Sequence, residues 1–399
     1  MDWLTPTSPL PALAAVLLAF ATAALLSRRF GAPPVPGRFA SIDGLRGYLA
    51  SGVFLHHGCI WYFYQHGGDW KLPPSHLYVH LGHSSVMLFF MITGFLFFSK
   101  LIAARERPLD WLQLFVSRVL RLVPLYLVVT LLLFAAVAVL SGGELHEPAR
   151  TVTKQALRWL GFTMMGNPPI NQVEITKIVV AGVTWSLPYE WFFYGALPLL
   201  ALTVGVLPRW PYLLLGVVTM AGLSSWHALP IYLWAFAGGI SAAWAVRSPV
   251  LRRLAASRAA SLLILACLAT TVILFPSATD YAVLTLLGLA FVLIACGNTL
   301  FGLLLHPASR VLGEMAYSIY LLHGLLLFTL FHFVLGVDRP GAALTAGAHW
   351  AWVLALSPAV VLVSHASFHF IEAPGMRATA TVMRALRRRF QKSSERLPA

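Results

Sequence analysis

The chain has 399 residues, 59% of them apolar and only 11% charged, with a mean hydropathy of +0.77 and a formal net charge of +14. A soluble domain carries about a quarter charged residues, so a soluble enzyme, a disordered chain and a secreted disulfide scaffold are excluded. The composition predicts an all-α polytopic membrane protein. Its three cysteines, Cys59, Cys267 and Cys296, sit in or beside apolar runs, with no zinc spacing and no even set for a disulfide framework. They read as small core residues.

A bilayer core about 30 Å thick takes about 20 mostly apolar residues per helix. Such runs predict about eleven transmembrane spans, at 8–27, 42–60, 80–99, 119–140, 184–206, 211–226, 229–246, 259–276, 281–304, 315–336 and 348–371. The first has no basic stretch before it, and Arg28 and Arg29 follow it, so it reads as an anchor with its N-terminus outside rather than a signal peptide. With that orientation one face receives only Lys71, Arg150, Lys154, Arg158, Lys177 and Arg339. The rest of the 28 lysines and arginines fall on the other face, among them Arg38 and the tail residues Lys392 and Arg396. The net charge is therefore topological, with positive residues inside. A nucleic-acid partner is not expected, and the C-terminal run reads as a solvated cytoplasmic tail that can also touch anionic lipid. The longest outward segments are 61–79 and 141–183, the second an ordered loop with room for a short interfacial helix. No internal repeat of the kind found in secondary transporters is visible.

Polar residues within spans mark candidate sites, because charge in the bilayer is costly. In the second span, Arg46 and His57 are eleven residues apart, roughly 20° past three helical turns with a rise of about 16 Å. They share one face, and His56 points elsewhere. The pair reads either as a snorkelling arginine and an interfacial histidine, or as an anion-binding group below a proton-transfer group. Arg118 and Arg121, before Pro124, present two guanidiniums on one side of a helix, suited to phosphates or serving simply as positive-inside flanks. Glu190 enters the fifth span after Trp185 and Ser186 at about the depth of His57, so a His–Glu partnership or a wetted carboxylate is expected. Tyr317, Ser318, Tyr320 and His323 lie in the tenth span, and Ser364, His365, His369 and Glu372 towards the end of the eleventh. Gly94, after Thr93, allows close helix packing. No phosphate loop and no metal-ligand cluster is present, so no metal is expected.

The order of motifs resembles the acyltransferase 3 family of integral membrane O-acyltransferases. The matching stretches are Ile42-Asp43-Gly44-Leu45-Arg46-Gly47 with His57, then Phe89-Phe90-Met91-Ile92-Thr93-Gly94-Phe95, then Arg118-x-x-Arg121 with Pro124. Trp185-Ser186-Leu187 with Glu190 and Phe193-Tyr194, Gly313 through His323, and Ile371-Glu372-x-Pro374 follow. The resemblance implies transfer of an acyl group, most often acetyl, from cytosolic acyl-CoA to a hydroxyl of a glycan or glycolipid acceptor in the cell envelope. A small hydroxylated molecule such as a macrolide is the alternative acceptor, and a glycolipid transporter the alternative class. It further implies His57 as general base or acyl relay and Glu190 as its orienting partner. Arg46, Arg118 and Arg121 would hold the CoA phosphates, with Tyr317, Tyr320 and His323 along the donor channel. Asp43, Thr93, Trp185, Ser186, Ser318 and Glu372 would support them. Thr93 stands where the family usually has serine, keeping the hydroxyl. The family core commonly has ten spans, so the expected organisation is an added span and basic loop (1–39), an acyltransferase domain (40–375) and a basic tail (376–399). A bacterial cytoplasmic membrane, with the C-terminus in the cytoplasm, is the expected location.

Overall fold

The computed structural model describes residues 5–34, 39–226, 228–337 and 342–394, with side chains described as far as 389. Arg38, Arg339, Arg396 and the side chain of Lys392, all used in the charge reading, lie outside the described residues.

In chain order the helices are α1 (Pro9–Phe30), α2 (Ala40–Gly67), α3 (His76–Ala103), α4 (Trp111–Leu140), α5 (Ala149–Leu160), α6 (Thr176–Val179), α7 (Leu187–Leu202) and α8 (Trp210–Ser225). They continue as α9 (Pro230–Ala245), α10 (Pro249–Ala255), α11 (Arg258–Leu274), α12 (Tyr281–Ala295), α13 (Pro307–Glu314), α14 (Ala316–Phe328), α15 (Ala346–Ser367) and α16 (Ala373–Ser394). Among the described residues there is no strand, only an isolated bridge between Ile170 and Val173. Each apolar run of the sequence holds a helix. Five are long and apolar enough to cross a bilayer, or six if α10 and α11, bent by 78°, count as one span. The others are 15 to 17 residues long or, like α2, interrupted by polar groups. Eleven crossings remain an expectation from the sequence.

Helix starts follow local chemistry. Ser75, Asp110 and Thr345 accept backbone N–H bonds at the starts of α3, α4 and α15. The Asp110 cap sets the start of α4 eight residues before the apolar run begins. α14 and α15 each end in a π-helical turn, Thr329–Val334 and Phe368–Glu372. The second leads straight into α16, so the basic tail is helical and packs along α4. Pro124 leaves the Leu120 carbonyl without its helical donor, and Gly375 lies so near that an added Cβ would be 2.3 Å from that oxygen. Further out, Arg387 pairs with Asp110. The cysteines are buried and unpaired.

Glycines bring α2, α3, α9 and α13 into backbone contact. Gly94 of α3 faces the Phe236 carbonyl of α9, and Gly239 of α9 faces the Met91 carbonyl; added Cβ atoms would lie 2.4 and 2.0 Å away. Gly47 of α2 rests on Leu312, and Gly313 of α13 rests on the carbonyl of Asp43. At Gly313 a Cβ would sit 1.7 Å from that oxygen. Gly313→Ala therefore forces the start of α2 away from α13, at an expected cost of about 3 kcal/mol, the upper end for overpacking. The measurement is the melting temperature of the purified protein, and an unchanged value would show that the two helices do not touch in this way.

Candidate active site

Two cavities lie along α2. The first, of about 800 Å³, is lined by Arg46 of α2, Thr93 of α3, Arg118 and Arg121 of α4, Ser186, Glu190 and Tyr194, and Tyr317 and Tyr320 of α14. Apolar wall is supplied by Val86, Phe89, Phe90, Leu96 and Phe97. The helical pitch of α4 puts Arg118 and Arg121 on one side, and the Arg118 guanidinium stacks 5.2 Å over the Phe97 ring. Its Nε is buried without a hydrogen-bond partner. Among the described residues none of the three guanidiniums makes an ion pair within 4.0 Å. Asp43, Glu190, Glu372 and Arg121 all lie within electrostatic reach of Arg46. The result is a cationic pocket, partly balanced by carboxylates but not closed by them.

Glu190 is held on this side. The Thr93 hydroxyl donates to one of its oxygens at 3.4 Å, and the Tyr194 hydroxyl to the other at 3.3 Å. The residues before α7 form a tight turn, Val183–Ser186, so Glu190 falls in the first turn of that helix. Tyr317 donates to the Leu122 carbonyl at 2.9 Å, tying α14 to α4 beside Arg121. Behind the pocket Glu372 is fully buried, accepting a hydrogen bond from the Ser318 hydroxyl on one oxygen while the other has no partner. The Ser367 hydroxyl stands 3.3 Å from Ser318.

The second cavity, of about 820 Å³, is lined by His56, His57, Trp70, Lys71, His83, Gly182 and Trp185, among others. Val86 and Tyr320 line both cavities. Tyr320 is pinned at this junction: its O–H donates to the Val183 carbonyl at 2.9 Å and accepts from the Ser186 hydroxyl at 2.8 Å.

The histidine hydrogen bonds assign tautomers, because a carbonyl can only accept. His323 Nδ1 lies 2.9 Å from the Ile319 carbonyl, so it carries the proton and leaves Nε2 as an acceptor. His57 Nδ1 lies 3.0 Å from the Val53 carbonyl and 3.1 Å from His323 Nε2, so its N–H is shared between those two acceptors. The Nε2 lone pair of His57 is then unengaged and borders the second cavity, with Trp70 stacked at 6.3 Å. His56 donates its Nδ1–H to the Tyr78 carbonyl at 2.7 Å, and the absent side chain of Gly82 makes room for its ring.

The structure thus joins Arg46, Arg118, Arg121, Thr93, Ser186, Glu190, Tyr317 and Tyr320 in one cavity, and His57 and Trp185 in the next. Asp43 flanks Arg46, and Ser318 with Glu372 forms a buried pair behind it. The expected His57–Glu190 partnership is not formed: His57 is bonded to His323, and Glu190 faces the arginines. His323, expected along the donor channel, is instead the neighbour of His57. The sequence singles out neither His83 nor Trp70, and it marks Tyr194 only as part of a motif, with no role. His83 lies in the third span, where its polar character was the only signal. Among the described residues no group of three histidine, cysteine or carboxylate side chains could hold a metal ion.

The family model of the acyltransferase domain matches residues 39–367. No curated protein and no solved structure matches the chain. That match takes in both cavities and all three arginines, and by it the chain belongs to the acyltransferase 3 family, whose reaction needs an acyl donor and an acceptor.

Proposed function

We propose that this protein carries an acyl group, acetyl in the simplest case, from cytosolic acyl-CoA to a hydroxyl of a cell-envelope glycan or glycolipid. It would do so in a bacterial cytoplasmic membrane, with the N-terminus outside and the C-terminus in the cytoplasm. The observation that carries this reading is the pair of cavities meeting at Val86 and Tyr320, one rich in unpaired guanidiniums and the other bordered by the free Nε2 of His57. Guanidiniums match phosphate oxygens in charge and fork geometry, so Arg46, Arg118 and Arg121 would hold the phosphates of CoA. The apolar wall of Phe89, Phe90 and Leu96 would follow the pantetheine arm towards Tyr320. On the other side, Trp70 and Trp185 offer aromatic faces of the kind on which sugar rings stack.

His57 Nε2 takes the proton of the acceptor hydroxyl as its oxygen attacks the thioester carbonyl. The carbon–sulfur bond breaks, and the CoA thiolate recovers that proton from the imidazolium. The products are an ester and free CoA. His323 Nε2 and the Val53 carbonyl, both facing His57 Nδ1–H, fix the tautomer and disperse the transient positive charge.

Membranes holding the protein and supplied with acetyl-CoA are expected to release CoA only when an envelope glycan is added. Release without acceptor would make the protein a thioesterase. Movement of a glycolipid across the membrane with no CoA release, over a range of acyl chains and acceptors, would replace the reading with a transporter.

A further inference from the structure

Apart from the two cavities there is a groove of about 1090 Å³ that shares no lining residue with either. One wall is α5, which presents Thr151, Lys154 and Arg158, and the other is the loop after it, with Met164 and Met165. Residues 151, 154 and 158 are three and four apart, so they share one helix face. Lys154 and Arg158 are exposed, and among the described residues neither makes an ion pair within 4.0 Å. Two like charges one turn apart repel each other, so the face gains from an anion. Along its lip Leu157 and Met165 are 60% and 77% exposed.

Location makes the charge conspicuous. α5 follows the end of α4 opposite Arg118 and Arg121. In the orientation proposed above, that is the outer side, where lysine and arginine are depleted. Of the few placed there, Arg150, Lys154 and Arg158 fall on this single helix of 12 residues. The groove is also preformed. Trp159 Nε1 donates to the Pro168 carbonyl at 2.9 Å, and Tyr126 donates to the Trp159 carbonyl at 2.5 Å. The Phe162 ring stacks on Tyr126 at 4.0 Å. Thr163 donates to the Thr184 carbonyl at 3.2 Å, which fastens the loop to the segment of Gly182 and Trp185 that walls the histidine cavity. That bond links the loop that walls the groove to the rim of the histidine cavity.

We propose that this groove seats the phosphate of a membrane-anchored acceptor, its hydrocarbon anchor lying against Leu157, Met164 and Met165. Lys154 and Arg158 supply the charge, Thr151 a hydroxyl donor, and the apolar lip favours an amphiphile over a free anion. The inference rests on the acyl-transfer reading for its place in the reaction, and it adds that the acceptor is a lipid-linked phosphate ester rather than a neutral soluble sugar.

The test is binding, read separately from turnover. The full chain in neutral detergent is titrated with farnesyl phosphate, with inorganic phosphate and farnesol as the head-only and tail-only probes, following melting temperature and tryptophan fluorescence. Farnesyl phosphate is expected to bind tightest, about tenfold more weakly to Lys154→Gln/Arg158→Gln, as charge-assisted contacts require, and more weakly also to Met165→Glu. The exposed side chains make these variants compatible with folding, and unchanged melting temperatures without ligand check this. Equal binding by wild type and the double variant overturns the proposal. So does equally tight, charge-dependent binding of phosphatidylglycerol, which would make α5 a general surface for anionic lipid. Because binding is read without acyl-CoA, a failure of acyl transfer leaves this result standing, and a failure here leaves acyl transfer standing.

Discussion

Replacement of His57 by alanine is expected to lower acyl transfer from acetyl-CoA about a thousandfold, within the 10²–10⁴ range of a positioned general base. The loss should fall on kcat. His57 stands in the second cavity, beyond Tyr320 from the arginines, so the KM for acetyl-CoA should hardly move. His57→Gln should be equally inactive, because an amide keeps polarity without a basic lone pair. His323→Ala should be milder, about tenfold, since the Val53 carbonyl still receives His57 Nδ1–H at 3.0 Å and keeps Nε2 free. The ordering of the two variants separates a base from a relay. If His323→Ala were as damaging as His57→Ala, the proton would have to pass through both rings. If His57→Ala kept a tenth of the wild-type rate, His57 would have no part in the chemistry. Matched melting temperatures keep these outcomes clear of misfolding.

That prediction draws on features of unequal legibility. The common face of Arg46 and His57 is readable because both sit on one helix, where the 3.6-residue repeat fixes direction. The Asp43–Gly47 motif is also readable, and its glycines prove to be contact points, Gly44 against the Leu304 carbonyl and Gly47 against Leu312 of α13. Tertiary partners are not readable in this way. His323 is 266 positions from His57 in sequence, and only the packing of α14 against α2 brings their rings together. Glu190 shows the reverse error. Its place in the fifth apolar run suggests His57 as a partner, but the turn at Val183–Ser186 sets where α7 begins, and that aims the carboxyl at Thr93, Tyr194 and Arg46. Helix ends moved for local reasons. The ninth run, taken to 304, stops at Ala295 because Gly297, Leu300, Phe301 and Gly302 adopt positive φ. Composition points to the membrane class at once, yet only five or six helices meet the length and apolarity of a span, since α7, α8, α9, α11 and α12 are 15 to 17 residues long and polar groups interrupt α2.

Arg121→Gln is expected to raise the KM for acyl-CoA about 10- to 150-fold with little change in kcat. Loss of a hydrogen bond to a charged group costs about 1.5–3 kcal/mol, and each 1.4 kcal/mol is a factor of ten. The variant isolates donor binding for three reasons. Arg121 is half-buried at the cavity wall and makes no ion pair among the described residues, so its removal strands no partner within 4.0 Å. It is separated from His57 by the Tyr320 junction, so the proton transfer is untouched. Its neighbour Arg118 keeps the pocket cationic. Arg46→Gln would be a poorer test: Arg46 and Arg121 both act on Asp43 and Glu372, but of the two only Arg46 also acts on the buried Glu190 in the pocket, and a buried carboxylate without compensation is costly. Arg121→Lys should recover only part of the affinity, since an ammonium keeps the charge but not the planar fork. Raised salt should weaken wild-type binding more than variant binding, because the variant has one charge fewer to screen. A KM that stays within twofold for both Arg121→Gln and Arg118→Gln would mean that the phosphates of the donor sit elsewhere. Unchanged binding with lost kcat would instead move the arginines into the chemical step.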